Sequence, residues 1–215
     1  MDIYHLLNRG FEKRSIVKDD NDRFRFVHSL FVFNDINYVD PNHRMKKMKA
    51  RERNRLVDIH AWCLMDNHYH LLASPVNNDA GYISLFMKKL NMGYAKYFNE
   101  RYERSGYLWQ GRYKKLKIEK DSHFLHTPHY IHLNPLDYSM SEWREGKISN
   151  FKKATALLST YRWSSYLDYL GKDNFNSVIN RELLDDVFGT AEQMLRNLKR
   201  IVTDSSVAEQ SQKLE

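Results

Sequence analysis

The sequence predicts an α+β fold in which a split βαβ motif builds an antiparallel sheet with helices on one face. Three observations predict it. Strand-like and helix-like segments follow in the order strand, helix, strand, strand, helix, strand. The middle strands, VDIHAWCLM and HYHLLASPV, meet at Met65-Asp66-Asn67, a connection short enough only for a hairpin. Between the strands the apolar spacing changes from alternation to steps of three and four. This is the ferredoxin-like arrangement, and it leaves the second sheet face open for a site.

Residues 3–7 form the first strand, which ends in a turn at Asn8-Arg9-Gly10. Phe24, Val27, Leu30 and Phe31 then mark a helix from residue 19 to about 34, with Asp19 or Asp20 as its N-cap. Residues 41–55 break the pattern. From His43 to Arg55 they carry Arg44, Lys46, Lys47, Lys49, Arg51, Arg53 and Arg55 against Glu52 alone, which suits a solvated loop or a phosphate-contacting insertion. After the hairpin, Ile83, Phe86, Leu90, Tyr94 and Tyr97 share one face of a helix over residues 81–103, closed by Ser105-Gly106. YLWQGRYKKLKIEK, residues 107–120, reads as a basic, aromatic turn and the last strand. Helical spacing returns over 122–133 and stops at Asn134-Pro135, and Pro128 should start, kink or split that helix. Residues 161–170 and 181–201 look helical, with a break at Gly189, and the last dozen residues form a frayed tail.

The chain has 215 residues, a net charge of +7, 14 Tyr, 11 Phe and 4 Trp, a balance that suits a partner with phosphates and stacking bases. No apolar run reaches membrane-spanning length, and MDIYHLLNRG carries no signal-peptide pattern. The single cysteine, Cys63, excludes an internal disulfide and a cysteine zinc finger, so a reduced, cytoplasmic setting is expected. No nucleotide-binding Gly-rich loop and no G-x-S-x-G motif occur, so ATPase and α/β-hydrolase chemistry find no support.

Chemistry concentrates in a few residues. His68 and His70 flank Tyr69 in a strand, so both imidazoles share a face. Such a pair offers two nitrogen ligands to a divalent ion, or is simply structural. Tyr130 and Asn134 stand four apart in a helix and share its face. The tyrosine suits a covalent nucleophile and the amide a metal ligand; equally, a core tyrosine and a helix cap would look the same. His123, His126, His129 and His132 recur in threes, drift around the helix and are expected to face solvent mostly, with His126 or His132 as a reserve ligand.

Taken together, NHYHLL, WQGRYK, YIHLNP and YRWSSYLDYLG resemble the REP-associated tyrosine transposases, single-tyrosine HUH transposases of the insertion-sequence type, from about Tyr4 to Gly171. The resemblance implies a site. His68 and His70 match the HUH pair that holds Mg²⁺ or Mn²⁺, Asn134 matches the polar third ligand, and Tyr130 matches the nucleophile. It also implies a reaction. Single-stranded DNA near a hairpin is cut, the tyrosine takes the 5′ phosphate, and a second DNA end rejoins without ATP. The implied organisation is a catalytic domain over 1–140 with a basic insertion near 41–55, a family-like segment over 141–171, and a helical appendage with its tail over 172–215.

With that function in view, Arg9, Arg112, Lys114, Lys115 and Lys117 are candidate phosphate contacts, and Trp109 and Tyr113 candidate stacking platforms. The expected partner is single-stranded or hairpin DNA, with no membrane, and the expected state a monomer, with a homodimer as the alternative. The rival function is a hairpin-binding module derived from such a transposase that no longer cuts.

Overall fold

The structure, a computed structural model, describes residues 1–37 and 53–205. Most of the basic segment 41–55 and the end of the tail lie outside the described residues. β1 (Tyr4–Arg9), β2 (Val57–Leu64), β3 (His68–Pro75) and β4 (Lys114–Lys117) form one sheet in the order β2-β3-β1-β4, with every neighbouring pair antiparallel. That is the split βαβ order read from the sequence. β1 runs two residues further than its apolar stretch, because Asn8 and Arg9 still pair with Tyr69 and His68. β4 is only four residues long. The aromatic segment before it joins the sheet through the Gly10–Trp109 bridge and a bond from the Gln110 N–H to the Arg9 carbonyl at 2.9 Å.

α1 (Asp20–Val32) and α2 (Ala80–Arg101) cover one face. Asp19 caps α1 by accepting from the Asp22 N–H, as its position predicts. Phe26, Val27 and Leu30 of α1 and Ile83, Phe86, Leu90 and Tyr94 of α2 pack on Leu6, Trp62, Tyr69 and Leu71. One buried charge ties the two helices. Asp22, fully buried, accepts from the Lys18 N–H, the Tyr97 and Tyr102 hydroxyls and an Arg101 N–H. Asp22→Ala strands these donors, so urea unfolding should show a loss of about 2–3 kcal/mol. Asn21→Ala, on the exposed side of the same turn, should change little.

The second face is not open, contrary to the sequence expectation. α3 (Asp121–Leu133) lies across β2 and β3, and α4 (Phe151–Thr160), α5 (Tyr166–Tyr169), α6 (Glu182–Phe188) and α7 (Ala191–Thr203) pack behind it. The reason is hydrophobic. Ala61, Cys63 and Leu72 point out of that face, and Ile131, Leu133, Leu158, Leu184, Phe188, Met194 and Leu198 join them in a second core. Burial there pushes the Cys63 thiol well above its ordinary range. Residues 161–165, expected to be helical, form no helix and bridge to β2 instead. They close the β2 edge with bonds from the Leu64 N–H to the Trp163 carbonyl and from the Ser165 N–H to the Trp62 carbonyl, 2.9 and 3.0 Å. The sequence expectation includes no helix over residues 151–160, although Phe151, Ala154 and Leu158 recur at helical spacing and meet the second core.

α3 runs through Pro128 without dividing. The proline leaves the Phe124 carbonyl without its helical donor, but the helix is held from both sides: the Thr127 hydroxyl bonds the His123 carbonyl at 2.6 Å and the face toward the sheet is buried. The histidines at steps of three are also not mainly solvent-facing. His129 and His132 are buried among Phe188, Tyr166 and Tyr169, and burial holds both down at about 3, so they are neutral at pH 7. Among the described residues, no helix is long and apolar enough to cross a membrane.

Candidate active site

Strand alternation sorts the β3 side chains. Tyr69 points to the α1/α2 face, where its hydroxyl donates to Asn91 Oδ1 at 2.9 Å. His68 and His70 point to the other face with ring centroids 5.0 Å apart. Their Nδ1 atoms are both engaged. His70 Nδ1 meets His5 Nε2 at 2.9 Å, and His68 Nδ1 meets Asn67 Oδ1 at 2.6 Å. With Nδ1 as the donor, Nε2 of each ring carries the lone pair that a metal takes. His70 Nε2 is buried and has no hydrogen-bond partner among the described residues. Burial, then the nearby His5, His68, Arg144 and Arg9, hold the His70 imidazole well below its ordinary value, so it is neutral.

Tyr130 reaches this pair from α3. Its ring stands edge-on to His70 at 5.9 Å and to His5 at 6.2 Å, and lies against Trp143 at 5.5 Å. It is 1% exposed. Arg144 donates to the Tyr130 hydroxyl at 2.7 Å. Asn134, fully buried, donates to the Tyr130 carbonyl at 2.9 Å, while its Oδ1 accepts from Arg144 at 3.4 Å. Asn134 thus closes the end of α3 and keeps an amide oxygen beside the tyrosine. The cluster therefore joins His68, His70, Tyr130 and Asn134, four residues selected from sequence. Among the described residues no group of three or more His, Cys, Asp or Glu could hold a metal ion, so two imidazoles and an amide oxygen are the donors the site has to offer.

The basic candidates divide by the same alternation. Leu7 pairs with His70, Arg9 with His68, and Leu7 with Lys114, so Arg9 and Lys114 belong to the histidine face. Arg9, Arg112 and Lys114 line a cleft of about 400 Å³ with Leu7, Gln110 and Gly111. The other four candidates serve the opposite side. Lys115 lies over the Tyr4 ring at 5.0 Å, and Lys117 pairs with Asp2 at 2.9 Å. Trp109 donates its indole N–H to the Asn91 carbonyl at 2.9 Å and packs on Tyr69 and Tyr94, and the Tyr113 hydroxyl meets Ser84 at 3.4 Å. The reserve ligands are elsewhere too. His132 Nε2 bonds Ser165 Oγ at 2.8 Å, and His126 lines a separate cavity with His129 and Arg200.

Sequence reasoning missed His5, Asp137, Trp143 and Arg144. His5 had a usable signal. It alternates with Leu7 and Arg9, and the split βαβ order makes β1 the neighbour of β3, which sets it beside His70. Arg144 and Trp143 had none. They sit in a short 3₁₀ turn, Ser141–Glu145, reached through a second 3₁₀ turn after α3, where no periodicity reports direction.

Comparison with known proteins bears on the cluster. A search of curated proteins finds no match. Among solved structures, one of a REP-associated tyrosine transposase bound to a REP hairpin is similar over 79% of each chain, with 14% identity and a TM-score of 0.44. Residues 34–134 match the family model described as Transposase IS200 like, a stretch that runs from the end of α1 to the end of α3 and includes His68, His70, Tyr130 and Asn134. Over that stretch, which carries the imidazole pair and the tyrosine together, the chain is similar to the IS200-like transposases.

Proposed function

We propose that the protein cleaves and rejoins single-stranded DNA beside a hairpin, through a 5′-phosphotyrosine on Tyr130 and with a divalent metal, Mg²⁺ or Mn²⁺, held by His68, His70 and Asn134. The observation that carries this reading is the meeting of Tyr130 with His70 at 5.9 Å, the His70 Nε2 being buried and unpartnered. A buried Nε2 without a partner, on a ring whose Nδ1 is already held by His5, suits a missing ligand. The donor chemistry fits as well, since Mn²⁺ accepts nitrogen more readily than Mg²⁺ and should work at least as well. A divalent ion bound there neutralises charge on the scissile phosphate and polarises phosphorus toward attack.

The chain's own residues account for the rest. α3 fixes Tyr130 against the sheet, which lowers the entropic barrier to in-line attack. His5 and Asn67 hold the two imidazoles in orientation through Nδ1. Arg9, Arg112 and Lys114 line a cationic approach to the histidine face, suited to phosphates rather than bases. In cleavage the Tyr130 oxygen bonds phosphorus, the P–O3′ bond breaks, the phenol gives up its proton and the 3′-oxygen gains one. The strand-joining step runs the same exchange backwards with a new 3′-OH.

The test mixes end-labelled single-stranded hairpin DNA from the flanks of its own gene with the protein and Mn²⁺ or Mg²⁺. A denaturing gel should show a protein-linked DNA band. A shifted native band with no linked product under either metal would favour a hairpin binder that does not cut, a second reading supported by the burial of the Tyr130 ring. The cleft makes a separate prediction. Arg9→Ala and Lys114→Ala should weaken hairpin binding and reduce its salt slope by about 0.7 each, while Lys115→Ala and Lys117→Ala leave the slope unchanged. Equal losses from all four variants in a salt titration would discard the cleft as the approach.

A further inference from the structure

We propose that Arg144 is a catalytic residue of the tyrosine chemistry, holding the Tyr130 oxygen both when it attacks phosphorus and when it leaves as phenolate. The inference rests on the strand-transfer reading above and adds a group that no sequence motif indicated.

The geometry is that of an aimed donor. Arg144 Nη1 lies 2.7 Å from the Tyr130 hydroxyl oxygen, the atom that forms and breaks the bond to phosphorus. The rest of the guanidinium is locked. Nε and Nη2 grip Asp137 through both carboxylate oxygens at 3.0 and 2.6 Å, and Nη2 also reaches Asn134 at 3.4 Å. The Trp143 indole N–H donates to the same Asp137 at 2.7 Å, and the guanidinium lies 4.7 Å from the Trp143 ring. A surface arginine that only paired with Asp137 would not need its third edge on a phenol. Here a planar fork, fixed by a carboxylate, presents an Nη1 N–H to the phenol oxygen. Asp137 sets the guanidinium through both oxygens, and Trp143 both bonds that carboxylate and packs against the Tyr130 ring at 5.5 Å.

The charge balance gives the donor its purpose. In cleavage the Oη–P bond forms and the P–O3′ bond breaks, and negative charge leaves the phenol oxygen only as the bond to phosphorus completes. In rejoining, a 3′-OH attacks phosphorus, the P–Oη bond breaks, and the electron pair returns to the phenol oxygen. A fixed N–H donor at that oxygen stabilises the charge in both directions without reorganising. His68 and His70 would hold a metal that serves the phosphate, whereas Arg144 stands at the nucleophile, so the two would act on different atoms of the same exchange.

The test compares wild type, Arg144→Ala, Arg144→Lys and Asp137→Asn with Mn²⁺ and labelled hairpin DNA, reading hairpin affinity and the rate of covalent adduct formation separately. Arg144→Ala should bind the hairpin as wild type does and form adduct roughly 100-fold or more slowly. Arg144→Lys, which keeps one charged donor, should recover part of the rate. Added guanidinium should restore Arg144→Ala and leave wild type unchanged, a response that a packing role would not give. Asp137→Asn keeps the arginine but loosens it, and should fall between, which preserves the test if Arg144→Ala fails to fold. Adduct formation by Arg144→Ala within threefold of wild type, or a loss of hairpin binding that matches the loss of rate, would overturn the assignment. No adduct from wild type under either metal would instead sink the strand-transfer reading, and Arg144 with it.

Discussion

Tyr130→Phe should abolish the protein-linked DNA band, with adduct formation at least about 10⁴-fold slower and hairpin affinity within twofold of wild type. The substitution removes one oxygen. The ring contacts with His70, His5 and Trp143 depend on the aromatic body and remain. Arg144 loses one acceptor but keeps its two bonds to Asp137, so the fold should survive with a small loss of stability. Phenylalanine leaves no nucleophilic atom where the tyrosine oxygen stands. A linked band that persists in Tyr130→Phe, mapped by mass spectrometry to another residue, would remove Tyr130 from the mechanism. A variant that neither links nor binds would point to a folding defect, which thermal unfolding would expose.

His70→Ala should cost more than His5→Ala, and both should act through metal affinity. Titration with Mn²⁺, followed by its electron paramagnetic resonance signal, should show binding nearly lost in His70→Ala and weakened roughly 10-fold in His5→Ala. The difference follows from position. His70 supplies Nε2 itself, whereas His5 touches only His70 Nδ1 and fixes the ring. Cleavage at saturating Mn²⁺ should therefore recover in His5→Ala and not in His70→Ala. Equal metal affinity in wild type and His70→Ala would show that the imidazole pair is structural, the alternative that spacing alone left open. The two predictions test different ends of one cluster, so either can fail without the other.

The fold was readable where a periodicity was long and uninterrupted. The β2–β3 hairpin and α2 each carried a strong pattern, and with β1 they determine the β2-β3-β1-β4 order. The Asp19 cap was readable for a similar reason: a cap is a local exchange between one side chain and the next turn. The covering of the second face was not. Ala61, Cys63 and Leu72 announced an apolar surface, but their partners Leu184, Phe188 and Met194 lie more than a hundred residues later in short helices. Pro128 argued for a broken helix, yet packing on both sides of α3 outweighs one missing backbone bond.

For the site, the chemical inventory and two local geometries were legible in the residue order. A strand puts His68 and His70 on one face, and a helix puts Tyr130 and Asn134 on one side, because both periodicities are properties of the backbone. Long-range packing set the rest: these two faces meet, His5 stands behind His70, and Arg144 reaches the tyrosine oxygen. It also decided which cations serve the cleft. Lys114 and Lys115 are indistinguishable as adjacent basic residues, yet register with β1 sends one to the histidine face and the other over Tyr4. Such choices depend on strand order and on how helices cover a sheet, and those are fixed by burial summed over the whole chain rather than by any local spacing.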